Sequence, residues 1–296
     1  MAEITASMVK ELRECTGAGM MECKKALTES NGDLEAAVDI LRTRGLAALA
    51  KKAGRATNEG AIAASISDDG SVAALVEINC ETDFVGRNAE FVGFVQGVAD
   101  TIVAGSPIDV TELMAVTYGD RDLTVEEVLG EAVGKLGENM GITRFNRVAI
   151  EGTGGVATYI HGGGKIGVLV EYAFTNENTS RADAFKAAAR DIAMQVAAAM
   201  PLYASRESVP DEVIEHEMSI YRTQAAESGK PADIQEKMAL GRLEKYFKEV
   251  VLPEQVFVKN QDQTVGQYLA DVSKGLGDAI SIVGFTRWTL GETASA

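Results

Sequence analysis

The stretch that decides the fold is residues 61–78, which read AIAASISDDGSVAALVEI. Two apolar runs flank Asp68-Asp69-Gly70, and a polar turn between two such runs is typical of a β-hairpin. The pattern returns 94 positions later, at residues 155–172, which read GVATYIHGGGKIGVLVEY. Each copy leads into helical patterning. The repeat therefore predicts a duplicated α+β core.

The two copies agree through the second strand and then diverge. The agreeing positions are Ile66, Gly70, Val72, Leu75, Val76 and Glu77, which fall on Ile160, Gly164, Ile166, Leu169, Val170 and Glu171. Immediately afterwards, residues 80–85 (CETDFV) face residues 174–179 (FTNENT). A feature that the shared scaffold does not need is a candidate for function.

Hydrophobic periodicity predicts the other elements of the core. Helices are expected over 88–104, 124–137, 181–199 and 264–276, a second strand set over 144–151, 155–161 and 165–173, and a last strand over 280–290 that rejoins the core. Residues 208–250 predict two more helices, because Ser208-Val209-Pro210-Asp211 is a typical helix start and Ser228-Gly229-Lys230-Pro231 is a break. So short a break predicts an antiparallel helical hairpin.

Residues 4–45 carry three short amphipathic segments, which predict a small three-helix module. Met20 and Met21 begin the second segment, and because neighbouring helix residues point about 100° apart, one of them is expected to be exposed. Methionine is common on adaptable protein-binding surfaces, while core filling accounts for the other. A polar, basic and flexible linker is expected over residues 51–60.

Composition excludes several classes of function. The 28 Lys and Arg against 44 Asp and Glu leave a net charge of −16, which argues against direct nucleic-acid binding, since phosphate contacts need concentrated cations. No apolar run is long enough for a membrane helix and no signal peptide begins the sequence, so a cytoplasmic protein without a membrane partner is expected. Three cysteines and two histidines make a disulfide framework, a metal site and acid–base catalysis poor explanations.

The sequence His161-Gly162-Gly163-Gly164 has three interpretations. It is similar to the oxyanion loop of some esterases, but the chain contains no Gly-x-Ser-x-Gly. With Lys165 it is similar to the end of a phosphate-binding loop, but Ile166 stands where Ser or Thr would ligate magnesium. The alignment with Asp68-Asp69-Gly70 favours a hairpin turn, which leaves His161 either contacting a partner or simply solvated.

Asp83-Phe84 is the most specific feature outside the repeat. A buried Phe beside a capping Asp would be an ordinary structural explanation. The functional alternative is a loop that presents Phe84 as a hydrophobic wedge and Asp83 as a charge near a partner's metal or phosphate. Its absence from the second copy favours the wedge.

Three stretches resemble the bacterial elongation factor Ts family. They are residues 4–13 (ITASMVKELR), residues 16–27 (TGAGMMECKKAL) and Thr82-Asp83-Phe84-Val85. Shorter matches follow in order at 161–162, 166–170, 191–195 and 228–242. The resemblance therefore covers nearly the whole chain.

This resemblance implies a guanine nucleotide exchange factor for elongation factor Tu. Such a protein binds the partner with GDP, promotes GDP release by disturbing the magnesium and phosphate site, and stabilises the nucleotide-free form until GTP binds. It needs no catalytic residue, cofactor or metal of its own. In the family, residues matching Thr82, Asp83, Phe84 and Val85 form the wedge, and those matching Arg13, Met20, Met21, Lys24 and His161 contact the partner.

The resemblance also implies a domain organisation. The expected units are a ubiquitin-associated-like three-helix domain at 1–52, core subdomain N at 53–140, core subdomain C at 141–207 and 251–296, and an inserted helical hairpin at 208–250 that is used in dimerisation. Longer family members continue past the last strand into a module that also contacts the partner, whereas this sequence ends at Ala296. The competing hypotheses are a hydrolase using His161 and a passive adaptor using the N-terminal module.

Overall fold

The computed structural model describes residues 4–292 and combines helices with small antiparallel sheets, which confirms the α+β class. Its first three helices are α1 (Ala6–Thr16), α2 (Met20–Glu29) and α3 (Leu34–Lys52). The side chains of Thr5 and Asp33 accept hydrogen bonds from the first turns of α1 and α3, as helix N-caps do. The three helices pack around the fully buried Leu12, Cys23 and Leu27.

The connection between this module and the core differs from the expected flexible linker. Helix α3 runs to Lys52, whose Nζ donates to the carbonyl of Val133 at 3.3 Å, and the carbonyl of Arg55 accepts from Asn139 Nδ2 at 2.8 Å. Residues 51–60 therefore do not form a linker free of the core, because α3 extends into them and Lys52 and Arg55 make hydrogen bonds to core residues.

The first half of the core is a three-stranded sheet covered by helices. Its elements are β1 (Glu59–Ile66), β2 (Val72–Cys80), α4 (Asp83–Gly86), α5 (Ala89–Gly105), α6 (Val110–Ala115), α7 (Val125–Leu136) and β3 (Met140–Ala149), with the strand order β1-β2-β3. Helices α5 and α7 bury Phe91, Val98 and Leu129 against the outer face of the sheet. Helix α3 crosses α7 so closely that a Cβ on Gly45 would lie 2.9 Å from the carbonyl oxygen of Gly130.

One strand belongs to a different sheet from the one expected. The strand predicted at 144–151 does not begin the second set, because β3 pairs along its length with β2, from Val72 opposite Ala149 to Cys80 opposite Met140. Periodicity identifies a strand but not its neighbour, which is fixed by hydrogen bonding between residues far apart in sequence.

The second half repeats this arrangement. Its elements are β4 (Gly154–His161), β5 (Ile166–Ala173), α8 (Asp183–Ala199), α9 (Asp211–Ala226), α10 (Ala232–Val250), β6 (Val256–Phe257), β7 (Asn260–Thr264), α11 (Val265–Leu276) and β8 (Ser281–Thr289). The second sheet has the order β4-β5-β8, so the last strand rejoins the core as predicted. The small β6-β7 hairpin was not predicted. Helices α9 and α10 form a hairpin with its own apolar cluster, and Arg222 pairs with Glu236 across it at 2.7 Å.

Hydrogen bonds between the sheets obey the 94-residue repeat. The amide of Ile62 donates to the carbonyl of Gly164 at 2.8 Å, and the amide of Val156 donates to the carbonyl of Gly70 at 3.0 Å. The two donors, Ile62 and Val156, are 94 residues apart, and so are the two acceptors, Gly70 and Gly164. The two halves are therefore related by an approximate two-fold axis. Leu75 and Leu169, also counterparts, are buried together between the sheets. In residues 4–292, no helix has both the length and the apolar character needed to cross a membrane.

Candidate partner-binding site

The turn over residues 82–87, called here the Phe84 turn, begins where β2 ends. Thr82 is the N-cap of α4, and its hydroxyl accepts from the amide of Val85 at 3.4 Å. Val85 is buried against the core, whereas Phe84 has 83% of its surface exposed. The ordinary explanation, a buried Phe with a capping Asp, is wrong on both points, since Thr82 makes the cap and Phe84 projects into solvent.

Hydrogen bonds to two glutamates, Glu138 and Glu81, hold the start of the Phe84 turn in place. Glu138 accepts hydrogen bonds from the amide of Thr82 at 3.0 Å and from its hydroxyl at 2.6 Å. The neighbouring Glu81 accepts from the amide of Asn139 at 2.6 Å and from Arg55 at 3.2 Å. The Asn139 bond, followed by that of Arg55, lowers the pKa of Glu81. These bonds connect the turn both to the segment before β3 and to the connection that follows α3.

Asp83 lies on the exposed side of the same turn. Its carboxylate pairs with Arg87, one helical turn further on, at 2.9 Å. The pair is solvent-exposed, so it contributes little to stability. Asp83 is therefore available to a partner beside Phe84.

His161 ends β4, and the glycines after it form the predicted hairpin turn. Gly162, Gly163 and Gly164 all have left-handed backbones, and the amide of Lys165 donates to the carbonyl of His161 at 3.1 Å. The esterase and phosphate-loop interpretations are wrong, because these glycines close a hairpin. His161 itself is exposed, with its Nδ1 3.0 Å from the hydroxyl of Tyr159.

The structure brings the His161 turn next to the Phe84 turn. Lys165 pairs at 2.6 Å with Glu59, and Glu59 lies opposite Cys80, just before the Phe84 turn. Gly86 and Arg87 from one turn and Gly163 and Gly164 from the other line one cleft of about 430 Å³. Two sites far apart in sequence therefore share one end of the molecule.

The N-terminal module presents an exposed methionine pair. Met20 and Met21 have 60% and 65% of their surfaces exposed, so the expectation that only one would be exposed is wrong. Both lie in the first turn of α2, and burial of this helix begins only at Cys23. Lys24 follows Met20 by four residues and Met21 by three, so its side chain lies beside both methionines on the helix surface. Arg13, also exposed, lies in the last turn of α1.

The module contacts the core near the helix that follows the Phe84 turn. Lys135 of α7 packs against Gly17, at the end of α1, and pairs with Glu90 of α5 at 2.6 Å. Glu90 is in the first turn of α5, directly after the Phe84 turn. The element that carries the methionine pair is thus linked indirectly to the Phe84 turn, through α1, Lys135 and the start of α5.

Within the described part of the chain, no group of three or more His, Cys, Asp or Glu could hold a metal ion. Burial raises the pKa of the Cys80 thiol to about 11, which keeps it protonated at neutral pH and makes it a poor nucleophile.

Sequence reasoning missed Glu138; the only available signal was its position just before a predicted strand.

Comparisons with known proteins agree with this geometry. A sequence profile described as "Elongation factor TS" matches residues 81–292, which include the Phe84 turn and the His161 turn. The chain belongs to the elongation factor Ts family. An elongation factor Ts of Clostridium perfringens is 50% identical, with the alignment covering 98% of this chain and 93% of the relative. The protein of that name in Clostridioides difficile is also 50% identical over 99% and 94%, and that of Trichlorobacter lovleyi is 48% identical over 98% and 93%.

Membership in the elongation factor Ts family makes this chain a translation elongation factor. The profile begins at residue 81, but the relatives' alignments cover nearly all of this chain, including most of the N-terminal module. The family relationship therefore applies to the module that carries the methionine pair as well as to the core.

Proposed function

We propose that this chain is the guanine nucleotide exchange factor of elongation factor Tu. It binds the GDP-bound partner, promotes GDP release, and stabilises the nucleotide-free form until GTP binds. The observation that carries this proposal is Phe84, an exposed aromatic side chain on a turn fixed by Glu138. In this role the protein makes and breaks no covalent bond and uses no cofactor or metal of its own.

Exchange follows from differential binding. A protein that binds the nucleotide-free partner more tightly than the nucleotide-bound one must weaken nucleotide affinity by the same factor. A wedge provides this difference because Phe84 can be buried only after the elements around the nucleotide have moved. Thr82 and Val85 hold the wedge from either side, one through its bonds to Glu138 and the other through burial in the core.

The rigidity of the Phe84 turn is part of the mechanism. A side chain on a fixed turn loses little conformational entropy on binding, so more of its burial energy is available to displace the partner's elements. The hydrogen bonds of Glu138 and Glu81 supply this rigidity before the partner arrives.

Asp83 acts electrostatically. A carboxylate placed near a bound magnesium ion and a diphosphate competes for the ion and repels the phosphates. Arg87 pairs with Asp83 in the free protein and becomes available to the partner once Asp83 is engaged.

The other contacts supply affinity. We assign to Arg13, Met20, Met21, Lys24 and His161 the role of holding the partner while the wedge acts. Exposed methionines suit a surface that must fit both nucleotide-bound and empty states. The partner is a protein in the cytoplasm, and neither nucleic acid nor membrane takes part directly.

The domain organisation proposed here follows the resemblance with one change. The N-terminal module is a ubiquitin-associated-like domain, and the boundary between core subdomains N and C moves from residue 140 to the segment 150–153, because β3 belongs to the first sheet. The helical hairpin within 208–250 is the surface for a homodimer, since it exposes Ile220, Ile234 and Leu240.

The test is release of a fluorescent GDP analogue from purified elongation factor Tu. Amounts of this protein well below the partner's concentration should accelerate release, because each molecule acts repeatedly. Unchanged release at every concentration would exclude exchange. A hydrolase would instead show turnover without the partner, and a passive adaptor would bind without accelerating release.

A further inference from the structure

A second cleft lies between the two halves of the core, at the end of β1 away from the Phe84 turn. It is called here the α8 groove and has a volume of about 430 Å³, within the range of about 300–1,000 Å³ typical of ligand sites. Strand β4 and helix α8 form its floor and one wall, and the turn between β1 and β2 forms the other wall. This turn follows Ile66, at the end of β1 away from Glu59 and the Phe84 turn.

The α8 groove is the duplicate of the cleft beside the Phe84 turn. At the 94-residue offset, Arg87, Val92 and Gln96 of the first cleft correspond to Arg181, Lys186 and Arg190 of the α8 groove. The strand residues 61–63 and 155–157 correspond in the same way, as do the turn residues Gly164 and Gly70. The duplicated fold therefore contains the same concave surface twice.

The two copies differ in charge. In the first cleft, Arg87 pairs with Asp83, and Gln96 donates to the strand carbonyl of Ala64 at 2.9 Å. In the α8 groove, the three corresponding side chains are cations, all exposed, and among residues 4–292 none of them forms an ion pair. Lys186 and Arg190 are four residues apart on one helix face, where like charges repel.

The floor of the α8 groove is apolar, since it contains Ala157, Phe185 and Ala189. Ile66 is partly exposed at its edge. A ligand that fits must therefore offer apolar groups to the floor and negative charge to α8. Three cations on one wall give that side of the groove a local positive potential in a protein of net charge −16, which favours an anionic group there.

We infer that the α8 groove is a second docking site, which binds an acidic, amphipathic segment of a partner protein. The opposite wall carries Asp68 and Asp69, so the occupant must place its acidic side chains on the α8 side only; a protein segment with acidic and apolar side chains can do this, whereas the continuous phosphate backbone of a nucleic acid does it less well. The charged part of the site, on α8 and at the end of β1 near Ile66, lies away from the Phe84 turn, although the two clefts share Ile160 of β4.

The probe is a short synthetic peptide in which Glu and Val alternate, labelled with a fluorophore and titrated with the full chain. Binding should be detected by anisotropy, and amide NMR shifts should lie at Thr158, Tyr159 and Lys186. The double variant Lys186→Glu with Arg190→Glu should weaken binding by about tenfold or more, because attraction is replaced by repulsion. The matched control, Val92→Glu with Gln96→Glu in the first cleft, should leave peptide binding unchanged.

Three results would overturn the inference. These are no binding of the acidic peptide by the wild-type chain, equal binding of a peptide with Lys in place of Glu, and tighter binding of a single-stranded RNA of matched charge at the same residues. Circular dichroism confirms that each variant is folded. GDP release should be unaffected by Lys186→Glu with Arg190→Glu, so failure of this inference is distinguishable from failure of the exchange function.

Discussion

The two halves of the core leave their second strand in the same way and then build different turns. In the first half, Thr82 donates from its amide and its hydroxyl to Glu138, just before β3. In the second half, Thr175 donates from its amide at 2.9 Å and from its hydroxyl to Asp278, just before β8. The threonine–carboxylate anchor is therefore a duplicated part of the scaffold.

The residues carried by the anchor are not duplicated. After Thr82 the chain makes one helical turn with Phe84 exposed at its tip, whereas after Thr175 it continues through Asn176 and Glu177, which are polar and exposed. The difference teaches that the anchor positions a turn, while the aromatic side chain gives one of the two turns its function.

The largest effect should come from removing the side chain that distinguishes the two turns. Phe84→Ala should cost about 2 kcal/mol, or roughly 30-fold in exchange efficiency, as loss of a buried aromatic anchor does. A substantial part should appear in the maximal rate, because a wedge stabilises the nucleotide-released state selectively. Stopped-flow release of a fluorescent GDP analogue measures both. The matched control is Glu177→Ala, which changes the residue two positions after Thr175, as Phe84 is two positions after Thr82. A folded Phe84→Ala protein with the wild-type maximal rate would show that the turn has only a structural role.

Substitution of the two anchor carboxylates, Glu138 and Asp278, should have different effects on nucleotide exchange. Glu138→Gln removes the charge from two hydrogen bonds, and we expect a loss of about 1.5 kcal/mol, roughly tenfold in exchange, as the turn loosens. Asp278→Asn, the same change in the second half, should lower the melting temperature but leave exchange intact. Equal exchange defects in the two variants would show that Glu138 acts through general stability.

A smaller effect is expected for Asp83→Asn. We expect about a fivefold loss of exchange rate in millimolar magnesium, because the variant no longer disturbs the ion and phosphates. The defect should largely disappear when magnesium is chelated with EDTA. The control is Asn176→Ala in the second turn, and a defect of the same size with and without magnesium would contradict an electrostatic role.

The methionine pair should affect affinity alone. Met21→Ala should raise the concentration needed for half-maximal exchange by about fivefold, corresponding to about 1 kcal/mol of lost contact, with the maximal rate unchanged. Met200→Ala provides a control, because Met200 is a similarly exposed methionine on the second half of the core. A reduced maximal rate for Met21→Ala would place part of the displacement chemistry in the module.

The smallest effect concerns stability at acid pH. Hydrogen bonds from the hydroxyls of Thr175 and Thr179 hold the pKa of Asp278 well below its ordinary value. A lowered folded-state pKa means that the ionised carboxylate stabilises the fold above the unfolded pKa, near 4, and that this contribution is lost as pH falls. Thermal unfolding followed by circular dichroism should therefore show a flatter acid limb for Asp278→Asn than for the wild type. Parallel curves would contradict the assignment.

Sequence alignment and structure differ by one residue at the anchors. The 94-residue offset places Asn176 opposite Thr82, whereas the hydrogen bonds place Thr175 there. The two anchor threonines, Thr82 and Thr175, are 93 residues apart, whereas the rest of the repeat has an offset of 94. A comparison without gaps therefore does not align them, and the two turns look unrelated although both begin with a threonine. This is why the sequence identified the Phe84 turn as distinctive but missed the carboxylate that fixes it.

The sequence by itself determined the features that depend on near neighbours. The hairpin around Gly70 and its copy around Gly164, the helices of the core and the family are all encoded by local patterns, because turn chemistry and apolar period act over a few residues. Only the tertiary structure decided which sheet receives β3, that α3 packs on α7, and that Glu138 reaches Thr82 across 56 positions. These contacts depend on strand register and helix crossing, which no local pattern records, since they are fixed by burial between segments that are distant in the chain.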